Sequence, residues 1–468
     1  MKIYNSLSKQ LEKFEPINPP NVGFYSCGMT VYDYAHIGHG RKYVTDDLLR
    51  RVLTQVGYDV TFVQNVTDVG HMTSDADEGE DKLEKGAQKA GKTVWEVAKF
   101  FEDHFYTSMN KLNVLPPTTI CRATDHITEQ IELVKKIIDN GYGYDTPEAV
   151  YFDVSKFDEY GKMFGQSLEE KQVSVREEVR TGIHKKNPAD FALWFKRVGR
   201  FADHTMHWDS PWGDGFPGWH VECSAMSMKY LGDQFDIHSG GEDHKPIHHP
   251  NEIAQSEAAS GKSPFVRYWV HTAFLTVDGT KMSKSLGNFF TIEDVEEKGY
   301  DPLALRYFYL TAHYKKKLNF TWEALDAAAS AYTKLQEHIL FLRKNTSRTQ
   351  LSDEKLEKTQ KLSSEFYDAV ENDLNMPQAL AVVWKVIKSN IPSPDKLDVL
   401  LDFDQILGLK LADIKEANIP DEVTALAKER QKFRQENDYQ MADKKREEIE
   451  AFGYIVKDTS DGFELVKK

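Results

Sequence analysis

The sequence predicts an α/β protein in which a parallel-sheet domain, split by an insertion, is followed by a helical bundle and a small terminal domain. Three observations carry this expectation. Residues 22–65 run strand, Gly-bearing loop, helix, strand, which is a βαβ unit and implies parallel pairing. Strand-type segments return at FDIHSGG and VRYWVHTAFLTV after a long irregular stretch. Beyond residue 320 strand signals almost vanish and helical patterns take over.

Taken in order, VGFYSC reads as a buried strand ending at Cys27, and GMTVYDYAHIGHG as the loop after it. RKYVTDDLLRRVLTQV is a helix, because Val44, Leu48, Val52 and Val56 fall on one face and Gly57 stands where a C-terminal cap belongs. YDVTFVQNV, rich in β-branched and aromatic residues, is the second strand. In such a sheet the ligand site lies beyond the strands' carboxyl ends. Residues 70–112 turn acidic and then helical through VWEVAKFFEDHFYTSMNKL, and ITEQIELVKKIIDNG is a helix with a Gly stop. The irregular, aromatic-rich segment 141–215 is expected to be an insertion between the halves of the sheet. Segments 322–344, 352–372, 377–389 and 395–407 have helical periodicity, consistent with a bundle. A charged helical pair at 421–450 and a strand-like tail close the chain. The expected division is therefore 1–140 with 216–320 as the sheet domain, 141–215 as the insertion, 321–420 as the bundle and 421–468 as the small terminal domain.

At 468 residues the chain is too long for one core, and its 40% hydrophobic and 28% charged content is that of an ordinary globular protein. The net charge of −15 excludes nucleic-acid binding by bulk charge, so any RNA contact needs local basic patches. Cys27, Cys121 and Cys223 are too few and too scattered for a disulfide framework, which fits a reducing compartment. No signal-like apolar run opens the chain, and no segment nears the roughly 18 apolar residues of a membrane span. A cytoplasmic protein with no membrane partner is expected.

HIGH at 36–39 sits between a strand and a helix, where unpaired N–H groups and the helix dipole collect anions. Gly38 allows close backbone approach to a nucleotide, and His36 and His39 can donate to phosphate oxygens. Two such histidines alone are as readily surface residues. KMSKSLGN at 281–288 places Lys281 and Lys284 three apart in a Gly-ended loop that can clamp a pyrophosphate, or simply be a solvated turn. Cys27, Cys223 and the HHPNE pair His248 and Glu252, four apart and so on one helix face, form a plausible zinc set. Isolated cysteines are also common as buried small hydrophobes, so spacing leaves both readings open. Pro250 fits only the first turn of a helix, which therefore starts near it and runs to Gly261.

HIGH and KMSKS, in this order around a βαβ-type sheet, resemble the paired signatures of class I aminoacyl-tRNA synthetases. CGMTVYDYAHIGHGR, SPWGDGFPGWHVECSAM, FDIHSGGEDHKPIHHPNEIAQS and KMSKSLGNFFT further resemble the cysteinyl-tRNA synthetase family, along essentially the whole chain. That resemblance implies a Rossmann-like catalytic domain and attack of the amino-acid carboxylate on the α-phosphorus of Mg–ATP, followed by transfer to tRNA(Cys). It implies His36, His39, Lys281 and Lys284 as catalytic groups, with Gly38, Asp243 and Lys284 at ATP. It implies Cys27, Thr67 and Trp219 around L-cysteine, and one zinc held by Cys27, Cys223, His248 and Glu252. Cys121 matches no ligand position and is expected to be structural. A monomer is expected.

A metal in the amino-acid pocket has a physical logic. A pocket that merely fits a small side chain separates cysteine from serine or alanine by only about 1–3 kcal/mol. Zinc favours thiolate strongly, so discrimination is available in one step without an editing domain. Three local departures from the family pattern stand out. DVGHM follows Thr67 where DIDDK is common, Pro250 replaces a Glu, and Met376 replaces a Thr before Pro, read as a weaker helix N-cap costing about 1 kcal/mol. Lys315, Lys316 and Lys317 are candidates for facing tRNA. Two other functions share these motifs: an adenylate-forming cysteine ligase with an amine acceptor, which would lack the C-terminal region, and a non-catalytic RNA-binding paralogue, which would have damaged motifs.

Overall fold

A computed structural model describes residues 1–468 except 70–71, 75–77, 164–183, 346, 349, 416–419, 460–461 and 468. Its centre is a five-stranded, all-parallel sheet ordered Val266–Thr272, Phe235–Gly241, Asn21–Ser26, Asp59–Val66, Thr119–Arg122. In chain order this is fifth, fourth, first, second, third, the doubly wound order whose direction reverses between the first and fourth strands. Register there is set by Phe24, Tyr25 and Ser26 lying opposite Ile237, His238 and Ser239. The first two strands pair in parallel as the sequence suggests, with Phe24 edge-on to Phe62 at 4.7 Å.

The helix after the first strand runs Ile37–Gln55 rather than from Arg41, so HIGH is its first turn and not a loop before it. Val44, Leu48 and Val52 are buried against the sheet, whereas Val56 lies past the helix end and is 37% exposed. Gly57 takes φ +101°, which ends the helix as its position predicts. VRYWVHTAFLTV does not form one strand of the sheet. Its LTV portion, Leu275–Val277, turns away to pair with Thr280–Lys281 and Leu318–Phe320 in a separate three-stranded sheet.

The segment after helix Ile127–Asp139 forms an antiparallel sheet ordered Gly215–Pro217, Phe191–Lys196, Ala149–Phe152, Gly143–Asp145. Val150, Phe152, Leu193 and Trp194 of that sheet share a core with Val134 and Ile137 of the helix. Helices Trp322–Lys344, Asp353–Glu371, Met376–Lys388 and Ser393–Leu407 follow. Met376 is not an N-cap: Asn375 holds that position, its Oδ1 accepting from the Gln378 N–H at 3.3 Å, so the expected penalty does not arise. The residues divide into two compact units, 1–412 and 413–468. The second consists of helices Asp421–Gln435 and Tyr439–Ala451 and the hairpin Tyr454–Thr459 with Gly462–Lys467, around Val423, Ala427, Ile449, Tyr454 and Val456. Among the described residues no helix is long and apolar enough to cross a membrane.

Candidate active site

The reversal point of the sheet brings the ends of the first and fourth strands together, and the chain leaves the first strand at Cys27, whose N–H donates to Ser239 O at 3.0 Å. A cleft of about 440 Å³ opens beyond these ends. Its walls include Cys27, Thr67, Trp219, Cys223, Asp243 and His248, and also His36, Gly38, His39 and Lys281. Glu252 lies behind the wall, fully buried. Of the predicted residues, Glu252 and Lys284 do not line the cleft.

HIGH works here as a helix cap made of histidines. His36 is the N-cap and its Nδ1 accepts from the His39 N–H at 3.2 Å, while His39 Nδ1 accepts from the His36 N–H at 3.3 Å. A ring nitrogen that accepts carries no proton, so both imidazoles are neutral with the proton on Nε2. Burial supports this, holding His36 down at about 4 against the pull of Asp243 and Asp33. The rings stack at 3.6 Å. Gly38 is needed for that stack, because a Cβ there would sit 2.9 Å from His36 ring atoms.

The metal-type cluster is assembled from three elements. Cys27 ends the first strand, Cys223 lies one turn into helix Trp219–Leu231, and His248 and Glu252 share the first turns of helix His248–Ser260. Pro250 is the third residue of that helix, where no N–H is needed. The four donor atoms lie within 4.8 Å of one another and all four residues are buried. His248 Nε2 stands 3.1 Å from Glu252 Oε1, as the four-residue spacing predicts. Burial pushes the Cys27 thiol up, and pushes Cys223 well up with Cys27 and Glu252 adding to it. For His248 burial is overcome by Glu252 and Cys223, which raise it to about 10. For Glu252 burial is overcome by His238 and His248, which hold it well below the usual carboxylate range. Two soft sulfurs, an imidazole and a carboxylate at this separation fit a tetrahedral zinc donor set. Trp219, one helical turn before Cys223, lies 4.2 Å from the His248 ring. Cys121 stands apart from the cluster, its Sγ donating to Gln64 O at 3.6 Å.

A tight turn at Asp278 and Gly279, both with positive φ, leads from Leu275–Val277 into strand Thr280–Lys281, where KMSKS begins. Asn288 closes the loop: its Oδ1 accepts from Ser283 N at 2.8 Å, and its Nδ2 donates to Thr280 Oγ1 at 3.0 Å. Lys284 reaches Asp33 of the loop before HIGH, with Nζ–Oδ2 at 2.5 Å.

Several functional neighbours have no sequence motif. Lys42 donates to Ser26 Oγ and to Cys27 O, each at 2.6 Å, and pairs with Asp46 at 2.9 Å, fixing the backbone of a metal-type ligand. Asn65 Oδ1 accepts from Gly28 N at 2.7 Å, and its Nδ2 donates to Thr67 Oγ1 at 3.1 Å. His238 Nε2 lies 2.9 Å from Glu252 Oε2 and orients that carboxylate. Cys27, His238, His249 and Glu252 form a second, overlapping donor set within the same 4.8 Å limit. For His238 the sequence signal is a histidine inside the buried strand FDIHSGG. Of the basic turn, Lys315 is tied to Asp373 at 2.6 Å and lies 3.7 Å above the Tyr4 ring, while Lys316 and Lys317 are exposed. The departure after Thr67 falls partly on residues 70–71, outside the described residues.

Residues 13–330 match the family described as the catalytic domain of class I (C) tRNA synthetases. The chain is 46% identical to cysteine–tRNA ligase 1 of Burkholderia lata, with 99% of this chain and 96% of that protein covered. It is 42% identical to the cysteine–tRNA ligase of Treponema denticola, with 98% of each covered. The chain belongs to the cysteine–tRNA ligase family. As a member it is an ATP-dependent aminoacyl-tRNA synthetase of class I. A Mycobacterium tuberculosis methionyl-tRNA synthetase, solved with methionyl-adenylate, shares the fold with a TM-score of 0.58 at 16% identity, over 83% of this chain and 90% of that one. Cysteine–tRNA ligases cover the C-terminal part of the chain as fully as the sheet domain, which leaves no support for an amine ligase lacking that region.

Proposed function

We propose that this chain activates L-cysteine with Mg–ATP to give cysteinyl-adenylate and pyrophosphate, and then passes cysteine to the 3′ end of tRNA(Cys). The observation that carries the reading is the buried two-sulfur, imidazole and carboxylate cluster opening into the same cleft as the histidine-capped helix. Cys27, Cys223, His248 and Glu252 hold zinc, which supplies a thiolate-selective contact for the substrate side chain. Thr67 and Trp219 flank that side chain. Asp243 accepts hydrogen bonds from the ribose hydroxyls, and Gly38 leaves the helix start open to the nucleotide.

The substrate carboxylate oxygen attacks the α-phosphorus and the pyrophosphate oxygen leaves, with no side-chain nucleophile required. The Nε2–H groups of His36 and His39 donate to phosphate oxygens as charge builds on them. Lys281 and Lys284 take the charge of the departing pyrophosphate, for which Lys284 exchanges Asp33 for phosphate. The test of the whole reading is pyrophosphate exchange measured across the amino acids, with zinc quantified on the same sample; exchange driven by an amino acid other than cysteine would overturn it.

Lys284→Ala should slow cysteine-dependent exchange on the order of a hundredfold while leaving cysteine binding unchanged. An exchange rate equal to wild type removes Lys284 from the reaction. Residues 321–420 are assigned to tRNA binding and 421–468 to the anticodon side, with 1–140 and 216–320 as the catalytic domain and 141–215 as its connective insertion. Because 413–468 is a compact unit in itself, a chain ending at Ala412 should keep pyrophosphate exchange and charge tRNA poorly. Full charging by that truncated chain rules out the assignment. The enzyme acts in the cytoplasm as a monomer.

A further inference from the structure

We infer that Arg41 is a positioning residue of the adenylation site, a guanidinium clamp that sets the spacing between the HIGH helix and the small sheet carrying KMSKS. The inference rests on the proposed adenylation chemistry. Arg41 directly follows HIGHG and is 2% exposed. Its Nη1 donates to Ala273 O and Phe274 O, both at 2.8 Å. Its Nη2 donates to His313 O at 3.2 Å and Lys316 O at 2.5 Å.

These carbonyls lie at the entrances of two adjacent strands. Ala273 and Phe274 lead into Leu275–Val277, which pairs with Thr280–Lys281, the first residue of KMSKS. His313–Lys316 leads into Leu318–Phe320, which pairs in parallel with Leu275–Val277. The two entrances are already joined to each other, Ala273 N donating to Tyr314 O at 2.9 Å and Leu318 N to Phe274 O at 3.2 Å. One planar cation therefore fastens both leading ends of the KMSKS-bearing sheet to the helix that presents His36 and His39.

The chemistry suits arginine alone. Four carbonyls arriving from two directions need a flat fork of donors, whereas lysine offers a single charge centre with three. Burial lowers Arg41 to about 10, with Tyr309 and Glu242 opposing, so it stays a cation at neutral pH. Ala273, Phe274 and Leu275 form a wall of the cleft, and Arg41 itself does not line it. It acts through that wall and through the placement of Lys281.

The test uses the full chain carrying Arg41→Lys or Arg41→Gln. In both, KM for ATP should rise and kcat for cysteine-dependent pyrophosphate exchange should fall, on the order of tenfold to a hundredfold. KM for cysteine and bound zinc should stay at wild-type values, and trypsin should cut at Lys281 and Lys284 faster. ATP parameters and cleavage rates equal to wild type in both variants would overturn the clamp. Loss of zinc and of cysteine affinity in step with the ATP parameters would also overturn it, by assigning Arg41 to the fold at large. If wild type itself shows no cysteine-dependent exchange, the adenylation reading fails, and the cleavage rates alone decide whether Arg41 holds the loop.

Discussion

Replacing Cys223 by serine is expected to remove the bound metal and cysteine activation together. Cys223 is 1% exposed and presents its sulfur to Cys27, His248 and Glu252 from one helix face. Serine matches its volume, so the helix and its packing remain. The hydroxyl is a poor ligand for zinc at neutral pH, and the site is left with one sulfur, one nitrogen and one oxygen. Metal content by mass spectrometry should fall from about one per chain towards zero, and exchange should drop by more than about a hundredfold, since even losing a residue that merely supports a ligand costs 10–100-fold. Thermal unfolding separates this from collapse. Cys121→Ser, on a strand of the parallel sheet and away from the cluster, should leave the metal content unchanged. Normal metal content in Cys223→Ser would refute the four-residue site.

Gly28→Ala should be nearly as damaging, for a steric reason. A Cβ on Gly28 would lie 1.5 Å from the main-chain oxygen of Asn65 and 2.5 Å from its carbonyl carbon. Both obstacles are backbone of a central strand, so no side-chain rotation relieves them. The loop must lift away, and it carries Cys27 on one side and Met29, whose O accepts from Thr67 N at 3.2 Å, on the other. Relief requires a shift well over 1 Å, and a misplacement of 1 Å near reacting groups can already cost about 10²-fold. Exchange should fall by several hundredfold with weakened zinc binding. Melting should show the protein still folded, because the displaced segment is a loop at the rim of the sheet. Near-wild-type kinetics in Gly28→Ala would mean that the approach of Gly28 to Asn65 is not part of the active conformation.

How much of this was legible in the sequence varies with the kind of signal. The βαβ start was readable because Val44, Leu48 and Val52 repeat at helical spacing between two apolar strands. The bundle helices were readable to within two or three residues for the same reason. The HIGH helix starts four residues before the position the sequence predicts, because a histidine N-cap answered by a histidine three positions on is not a pattern that capping preferences flag. The sequence predicts one strand through Val277 because Ala273 and Phe274 look like strand residues, whereas the strand ends at Thr272. There the Ala273 carbonyl accepts from Arg41, which is 232 residues away in sequence. Met376 reads as a cap from its place before Pro377, whereas Asn375 carries the side-chain oxygen that caps the helix.

The sequence by itself determined the family and the sheet domain with its split, and it placed His248 and Glu252 on one helix face, because those rest on local strings and on spacing within one helix. The tertiary structure alone decided that Cys27 and Cys223 face one another with His248 and Glu252. It also decided that Lys42 and Asn65 hold the loop after the first strand, and that Arg41, just past HIGH, bonds to the carbonyls of Ala273 and Phe274 ahead of KMSKS. Those relations join residues from different strands at the reversal point of the sheet. Contacts of that kind follow from strand order and packing, which no local pattern encodes.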